Sequence, residues 1–196
     1  KVFLSHLVTD HFGDLDALFV GGALAGRQKP LRVWGPSGET PERGTKYALD
    51  HLRKALTWDL DGRQGLTDPR GYHFEVHEFD YKGMNQIVYQ ENGVTIRSFP
   101  AIHSLDGPVS FSVEWNGLKF VFGGDTYPNK WYDEHAKDAD LVKPWDAKGY
   151  KMPGGAPYHP AGFMTFVGAS AMVHGKTQGA FPAAKALLSA VCLVCR

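Results

Sequence analysis

Three side chains that can bind a metal ion lie close together near the start of the chain: His6, Asp10 and His11. An apolar run precedes them, and Gly13 interrupts the chain just after them. This pattern predicts a strand, a loop and then a helix, because a segment with helical apolar spacing follows the glycine. A strand end and a loop can bring the three ligand atoms together. Imidazole and carboxylate are ligands expected for Zn²⁺, so the stretch predicts the beginning of a metal site.

Two further candidate ligands follow predicted strands later in the chain. His103 comes just after the strand that ends near Phe99, and Asp125 comes just after the strand that ends at Phe122. The two glycines between Phe122 and Asp125 allow a close backbone approach. Both residues therefore repeat the pattern of His6, in which a ligand stands at the end of a strand.

The stretch from His6 to His11 resembles the His-x-His-x-Asp-His signature of the metallo-β-lactamase superfamily, and its continuation resembles the ribonuclease Z and arylsulfatase-like branch. His103, and Asp125 in Gly-Asp-Thr, follow in the order of the same family, over roughly residues 1–142. The resemblance implies that His6 and His103 bind one zinc ion, that Asp10, His11 and a late histidine bind another, and that Asp125 bridges both. It makes Asp10 and Asp125 the catalytic residues.

The chain departs from the family pattern at two places. Val8 stands where the family has its second histidine, and a histidine expected near Lys143 is absent. For the late ligand, His174 is the first candidate and His159 the reserve. These departures leave open a mononuclear enzyme, a weakened dinuclear enzyme with two zinc ions, a metal-poor relative, or a parent protein with histidine at position 8.

Strands alternate with helices in the first part of the chain and with turns in the second. Helices are predicted for Asp14–Leu24 and from Thr40 to about Leu56, and a loop is predicted for Asp59–Gly71. Two β-hairpins are predicted, because Asn92-Gly93 and Asn116-Gly117 each separate two β-prone runs. This order indicates an α/β layered domain.

One alternating strand, over residues 72–79, places His73, Glu75 and His77 on the same face. The two histidines lie about 13 Å apart in an extended strand, too far for one metal ion. We expect a polar, outward face here. At the other end of the chain, a helix is predicted for Phe181–Leu193, and the pair Cys192 and Cys195 is expected to be buried or frayed thiols.

For the fold, the resemblance implies an αββα sandwich in the α/β class. With 196 residues we expect a single domain over residues 1–196. Because the chain begins at Lys1 without a methionine, directly in the strand that carries the motif, we also expect that part of an N-terminal portion is missing.

The formal net charge is +0, from 21 basic and 21 acidic side chains, which gives no global sign of a polyanionic partner. We see no basic, glycine-rich arm of the kind with which ribonuclease Z holds transfer RNA, and no apolar stretch of the roughly 20 residues that span a membrane. Aromatic residues are expected near the rim of the site: Phe12, Trp58, Tyr127, Trp131, Tyr132 and Trp145. No oligomeric state or compartment is indicated.

Together these features predict a zinc-dependent hydrolase in which a metal-activated water attacks a small ester, sulfate, phosphate or lactam. A small-molecule substrate is expected, and nucleic acid is not favoured. The alternatives are a ribonuclease Z-like phosphodiesterase and a metal-poor relative that binds without turnover.

Overall fold

The computed structural model describes residues 1–143 of the chain. The chain divides into two compact units, the first over Lys1–Tyr81 and the second beginning at Lys82. The first unit holds a three-stranded parallel sheet, and the second holds a five-stranded, mostly antiparallel sheet.

The first unit alternates strands and helices. Its strands are β1 (Val2–Phe3), β2 (Leu31–Pro36) and β3 (Phe74–Phe79), paired in that order. Its helices are α1 (Thr9–Phe12), α2 (Leu15–Leu24), α3 (Thr45–Ala55) and α4 (Thr57–Gly62), with 3₁₀ turns at Pro41–Arg43 and Pro69–Tyr72.

The core of the first unit lies on one face of its sheet. Val33 in the central strand pairs with Val2 and Val76, so the three side chains share this face. Phe19 of α2 and Leu49 of α3 are fully buried in the same cluster. The helices pack on this face, and the carboxyl ends of the strands continue into loops. His6 lies in the loop that follows β1.

The start of α3 is fixed to the end of β2. The buried Thr45 hydroxyl donates to the carbonyl oxygen of Pro36 at 2.9 Å, and the Glu78 carboxylate accepts from the Lys46 N–H at 2.7 Å. A Cβ at Gly35 would lie 2.3 Å from Thr45 Oγ1. Only glycine therefore lets the helix approach the strand this closely.

The second unit is built mainly from sequence neighbours. Its strands are β4 (Gln86–Glu91), β5 (Val94–Pro100), β6 (Val109–Trp115), β7 (Leu118–Phe122) and β8 (Leu141–Lys143), in that order, and helix α5 (Lys130–Ala136) precedes β8. All pairs are antiparallel except β7 with β8.

Both predicted hairpins are confirmed. Asn92 and Gly93 have φ values of 53° and 77°, and Asn116 and Gly117 have 50° and 77°. Positive φ at both central residues defines a type I′ turn, whose twist matches that of the strands it joins.

Three predicted boundaries are wrong. The helix expected from Thr40 starts at Thr45, because Pro41–Arg43 forms a 3₁₀ turn and Gly44 is extended. The loop expected from Asp59 begins with the last turn of α4, held by the buried Leu60. The strand expected from Tyr72 starts at Phe74.

The predicted C-terminal helix over Phe181–Leu193 lies outside the described residues, as do Cys192 and Cys195. Among residues 1–143, none of the helices has the length and apolar character that crossing a membrane requires.

Candidate metal centre

His6 lies just beyond β1 and is 4% exposed. Two residues before His6, the chain is still hydrogen-bonded to β2, because the N–H of Leu4 donates to the carbonyl oxygen of Trp34 at 2.8 Å. The Ser5 hydroxyl hydrogen-bonds with His6 Nδ1 at 3.0 Å. This bond orients the imidazole, and it makes Nε2 the ring nitrogen suited to metal binding.

Asp10 and His11 lie on α1, a single helical turn where the sequence predicted a loop. The turn closes through two backbone bonds, from the His11 N–H to the Val8 carbonyl oxygen at 2.8 Å and from the Gly13 N–H to that of Thr9 at 2.7 Å. A Cβ at Gly13 would lie 2.4 Å from the Thr9 oxygen, so glycine permits the turn to close.

The first unit brings its three predicted ligands together. The His6 and His11 rings have centroids 4.0 Å apart and an interplanar angle of 46°. Asp10 Oδ2 lies 3.5 Å from His11 Nε2. Two ligands of a tetrahedral zinc ion, each about 2.0–2.1 Å from the metal, lie about 3.3–3.4 Å apart, so the Asp10–His11 spacing fits a shared ion.

In the second unit, His103 and Asp125 form another pair. His103 follows β5, Asp125 follows β7, and their ligand atoms lie within 4.8 Å of each other. Asp125 is 9% exposed. The turn that leads to it contains Gly124 with φ +61°, a backbone conformation that favours glycine.

The two ligand-bearing loops of the second unit are joined by hydrogen bonds. The Ile102 N–H donates to Thr126 Oγ1 at 2.9 Å, and the Tyr127 N–H donates to the Ile102 carbonyl oxygen at 2.7 Å. Asn129 donates to Thr126 Oγ1 at 2.9 Å and caps α5 by accepting from the Tyr132 N–H. Sequence analysis did not single out Thr126 or Asn129, although an Asn three residues before Tyr132 is a helix-capping signal.

The donor types in both units suit a divalent metal ion. Imidazole nitrogen and carboxylate oxygen bind zinc readily, and each unit supplies both. Burial supports the same interpretation, since a buried carboxylate such as Asp125 is costly unless positive charge or hydrogen-bond donors compensate it. A metal ion would supply that charge.

The structure describes both positions at which the chain departs from the family pattern, Val8 and Lys143. Val8 is 44% exposed and precedes α1 in an extended conformation, with an apolar side chain that offers no ligand atom. The histidine expected near Lys143 is absent from the sequence, and Lys143 ends β8. His174 and His159 lie outside the described residues.

The histidines of β3 and of the segment before it take no part in these pairs. The prediction of a polar outward face holds for His73 and Glu75, which are exposed. His77 is half-buried on the same face, where its ring stacks on the buried Trp34 with centroids 4.3 Å apart. His77 Nε2 also lies 2.7 Å from Glu75 Oε1.

Trp58, expected at the rim, lies beyond the far end of α3 and is 87% exposed. Since α3 begins at Thr45, beside the end of β2, and a helix of 11 residues is about 16 Å long, Trp58 is well removed from that edge. Phe12 packs against the core of the first unit. Tyr132 is partly buried, and this burial raises its pKa to about 12. Trp145 lies outside the described residues.

No model of a known protein family matches the chain. Ribonuclease Z of Mycobacterium marinum is 32% identical over 149 residues, covering 72% of this chain and 49% of that protein. Ribonuclease Z of Methanococcus maripaludis is 28% identical over 105 residues, covering 54% of this chain and 29% of that protein. The chain thus spans about half the length of the first relative and less of the second.

Among solved structures, human tRNase Z, short form, superposes with a TM-score of 0.52 and 19% sequence identity. The match covers 71% of this chain and 55% of the human one. At this identity the match speaks for the fold alone, and it agrees with the predicted α/β class.

Proposed function

Because the chain belongs to the metallo-β-lactamase superfamily, in its ribonuclease Z branch, we propose that it is a metal-dependent hydrolase that cleaves phosphodiester bonds in RNA. The predicted family and fold class are confirmed, whereas the resemblance to arylsulfatase-like members stays a prediction. One observation carries the proposal: in each unit an imidazole and a carboxylate lie close together, on α1 in the first unit and in the loops after β5 and β7 in the second.

The proposed metal is zinc, one or two ions per chain. Its proposed ligands are the residues that the family resemblance assigns: His6, Asp10, His11, His103, Asp125 and His174. The first five have support from the placement of their side chains within their own units. His174 rests on the resemblance alone.

Bound zinc activates water as a nucleophile and stabilises the negative charge that develops in phosphodiester hydrolysis. The residues of the chain hold and orient the reactants. The Ser5 hydroxyl orients the His6 ring, so that its Nε2 faces a fixed direction. Asp10 is partly exposed on α1, where its carboxylate oxygens can orient a water molecule and accept its proton. Asp125 contributes a buried carboxylate.

The expectation of a small-molecule substrate, with nucleic acid not favoured, is wrong, because the relatives are named ribonuclease Z. That expectation relied on a net charge of +0, which sums over the whole chain and does not describe local patches. It also relied on the absence of a basic arm, in a chain that spans about half the length of the Mycobacterium marinum relative. We propose RNA, with a transfer RNA precursor as the first substrate to test.

The test combines a metal count with a cleavage assay. Protein purified without chelator is measured for zinc per chain, and is then incubated with a labelled transfer RNA precursor and separately with a generic phosphodiester. We expect bound zinc and cleavage of the RNA. A matched control is His73→Ala, since His73 is an exposed histidine outside both ligand pairs.

The zinc count separates the forms that Val8 leaves open. About two ions per chain means that the site tolerates Val8 and that a late histidine such as His174 completes it. About one ion indicates a mononuclear centre. Protein that neither contains zinc nor retains added zinc would contradict the proposal and favour a relative that binds RNA without cleaving it.

A further inference from the structure

Thr126, the residue after Asp125, has a buried hydroxyl with three hydrogen-bond partners. Thr126 is 1% exposed. A hydroxyl can donate one hydrogen bond and accept two. The Thr126 hydroxyl uses all three: it donates to the Tyr127 carbonyl oxygen, and it accepts from the Ile102 N–H and from Asn129 Nδ2, each at 2.9 Å.

Hydrogen bonds connect the loop that carries Asp125 to the loop that carries His103. Ile102 directly precedes His103, and both of its backbone groups are held by the loop of Asp125, its N–H by Thr126 Oγ1 and its carbonyl oxygen by the Tyr127 N–H. The two bonds therefore hold the residue before His103 against the two residues after Asp125.

Asn129 fixes the hydroxyl itself. Its Nδ2 donates to Thr126 Oγ1 and to the Tyr127 carbonyl oxygen, while its Oδ1 accepts from the Tyr132 N–H at the start of α5. Thr126 is thus anchored to a helix on one side and to the His103 loop on the other.

We propose that Thr126 is a positioning residue, whose hydroxyl holds His103 and Asp125 at the separation that metal binding needs. The inference rests on the proposed metal-dependent function. Groups that orient metal ligands raise affinity, because a ligand already in place loses less freedom when the ion binds.

The test compares Thr126→Val with Thr126→Ser in the full chain. Valine has nearly the shape of threonine without the hydroxyl, and serine keeps the hydroxyl. Zinc affinity is measured by competition with a chelator, and folding is checked by circular dichroism and thermal melting. We expect Thr126→Val to bind zinc about 10–100-fold more weakly, as is typical for the loss of a group that orients ligands. Thr126→Ser should bind close to the wild-type value.

Equal zinc affinity in the wild type and in folded Thr126→Val would overturn the positioning role alone, and so would a loss in Thr126→Ser as large as in Thr126→Val. If Thr126→Val does not fold, Asn129→Ser decides. Serine still caps α5 but removes the amide donor, so zinc affinity should fall by a smaller factor, and an unchanged affinity would overturn the role. A wild type that binds no zinc would overturn the metal centre, and this proposal with it.

Discussion

The rings of His6 and His11 lie 4.0 Å apart, although one follows a strand and the other sits on a helical turn five residues later. The pairing places two imidazoles side by side in the first unit, with the carboxylate of Asp10 3.5 Å from His11 Nε2. Imidazole nitrogen and carboxylate oxygen are both ligands that zinc accepts, so this group of side chains is suited to metal binding.

We therefore expect His11→Ala and Asp125→Asn each to lower RNA cleavage by at least about 10-fold, because losing a direct ligand costs no less than losing a group that orients one. Circular dichroism should stay unchanged. His73→Ala serves as the control for a histidine outside the pairs. Full activity in both ligand variants would remove these residues from the proposed centre.

Val8→His should strengthen zinc binding. Val8 is 44% exposed at the start of α1, so an imidazole can be placed there without disturbing the core. The imidazole would restore the histidine of the family pattern. It would add a fourth protein ligand to an ion that otherwise has three, which should raise the affinity for zinc. Zinc affinity by chelator competition is the measurement. Val8→Ala controls for loss of the valine, and an affinity for Val8→His no higher than that of Val8→Ala would contradict this prediction.

Gly35→Ala should destabilise the protein by about 1–3 kcal/mol, the usual cost of overpacking a buried site. The added Cβ would lie 2.3 Å from Thr45 Oγ1, which the bond to Pro36 holds in place. Gly21→Ala is the matched control, because Gly21 lies inside α2, where an added Cβ would meet no neighbouring atom within 4 Å, and alanine there should stabilise by about 1 kcal/mol. Denaturant titrations of the three proteins give the free energies of unfolding.

His135 should make stability depend on pH. Its ring stacks on Phe99 with centroids 4.0 Å apart, and burial lowers its pKa below the ordinary value of 6.5. Charged neighbours modify this shift in both directions: Lys119, Glu134, Arg97 and Glu114.

The unfolded chain then binds a proton at higher pH than the folded chain, so the stability contributed by neutral His135 is present above 6.5 and is lost as the pH falls through that value towards the lower folded pKa. His135→Phe keeps a ring on Phe99 but does not titrate. When the pH is lowered from about 7.5 to about 5.5, the free energy of unfolding of His135→Phe should fall less than that of the wild type. Equal falls in the two proteins would show that His135 does not contribute.

The parts of the fold that local chemistry determines could be predicted from the sequence. Asn92-Gly93 and Asn116-Gly117 predicted their turns because few residues other than Asn and Gly adopt positive φ readily. His6, His103 and Asp125 were predicted to follow strands, and they do. In these cases the signal and its cause lie within a few residues.

Features that depend on distant contacts could not be predicted. Helix α3 starts at Thr45 because the carboxylate of Glu78, far along the chain, accepts a hydrogen bond from an N–H in its first turn. Thr40 is a residue type that often caps helices, but its side chain makes no capping hydrogen bond. The turn α1 has four residues and no side-chain cap, so it leaves no periodic signal. The role of Thr126 depends on Ile102, which belongs to another loop.

The contrast between the two sheets has a consequence for how the chain folds. Strands β4 to β7 pair with their sequence neighbours, two of the pairs across tight turns, and such hairpins close in about 1–10 μs. In the first unit, β1 must wait for β2 across two intervening helices, and long-range parallel pairing is slow. Amide protection during refolding should therefore appear in β4–β7 before β1–β3. On the ribosome, the first unit would emerge before the second and yet be the slower of the two to reach its native form.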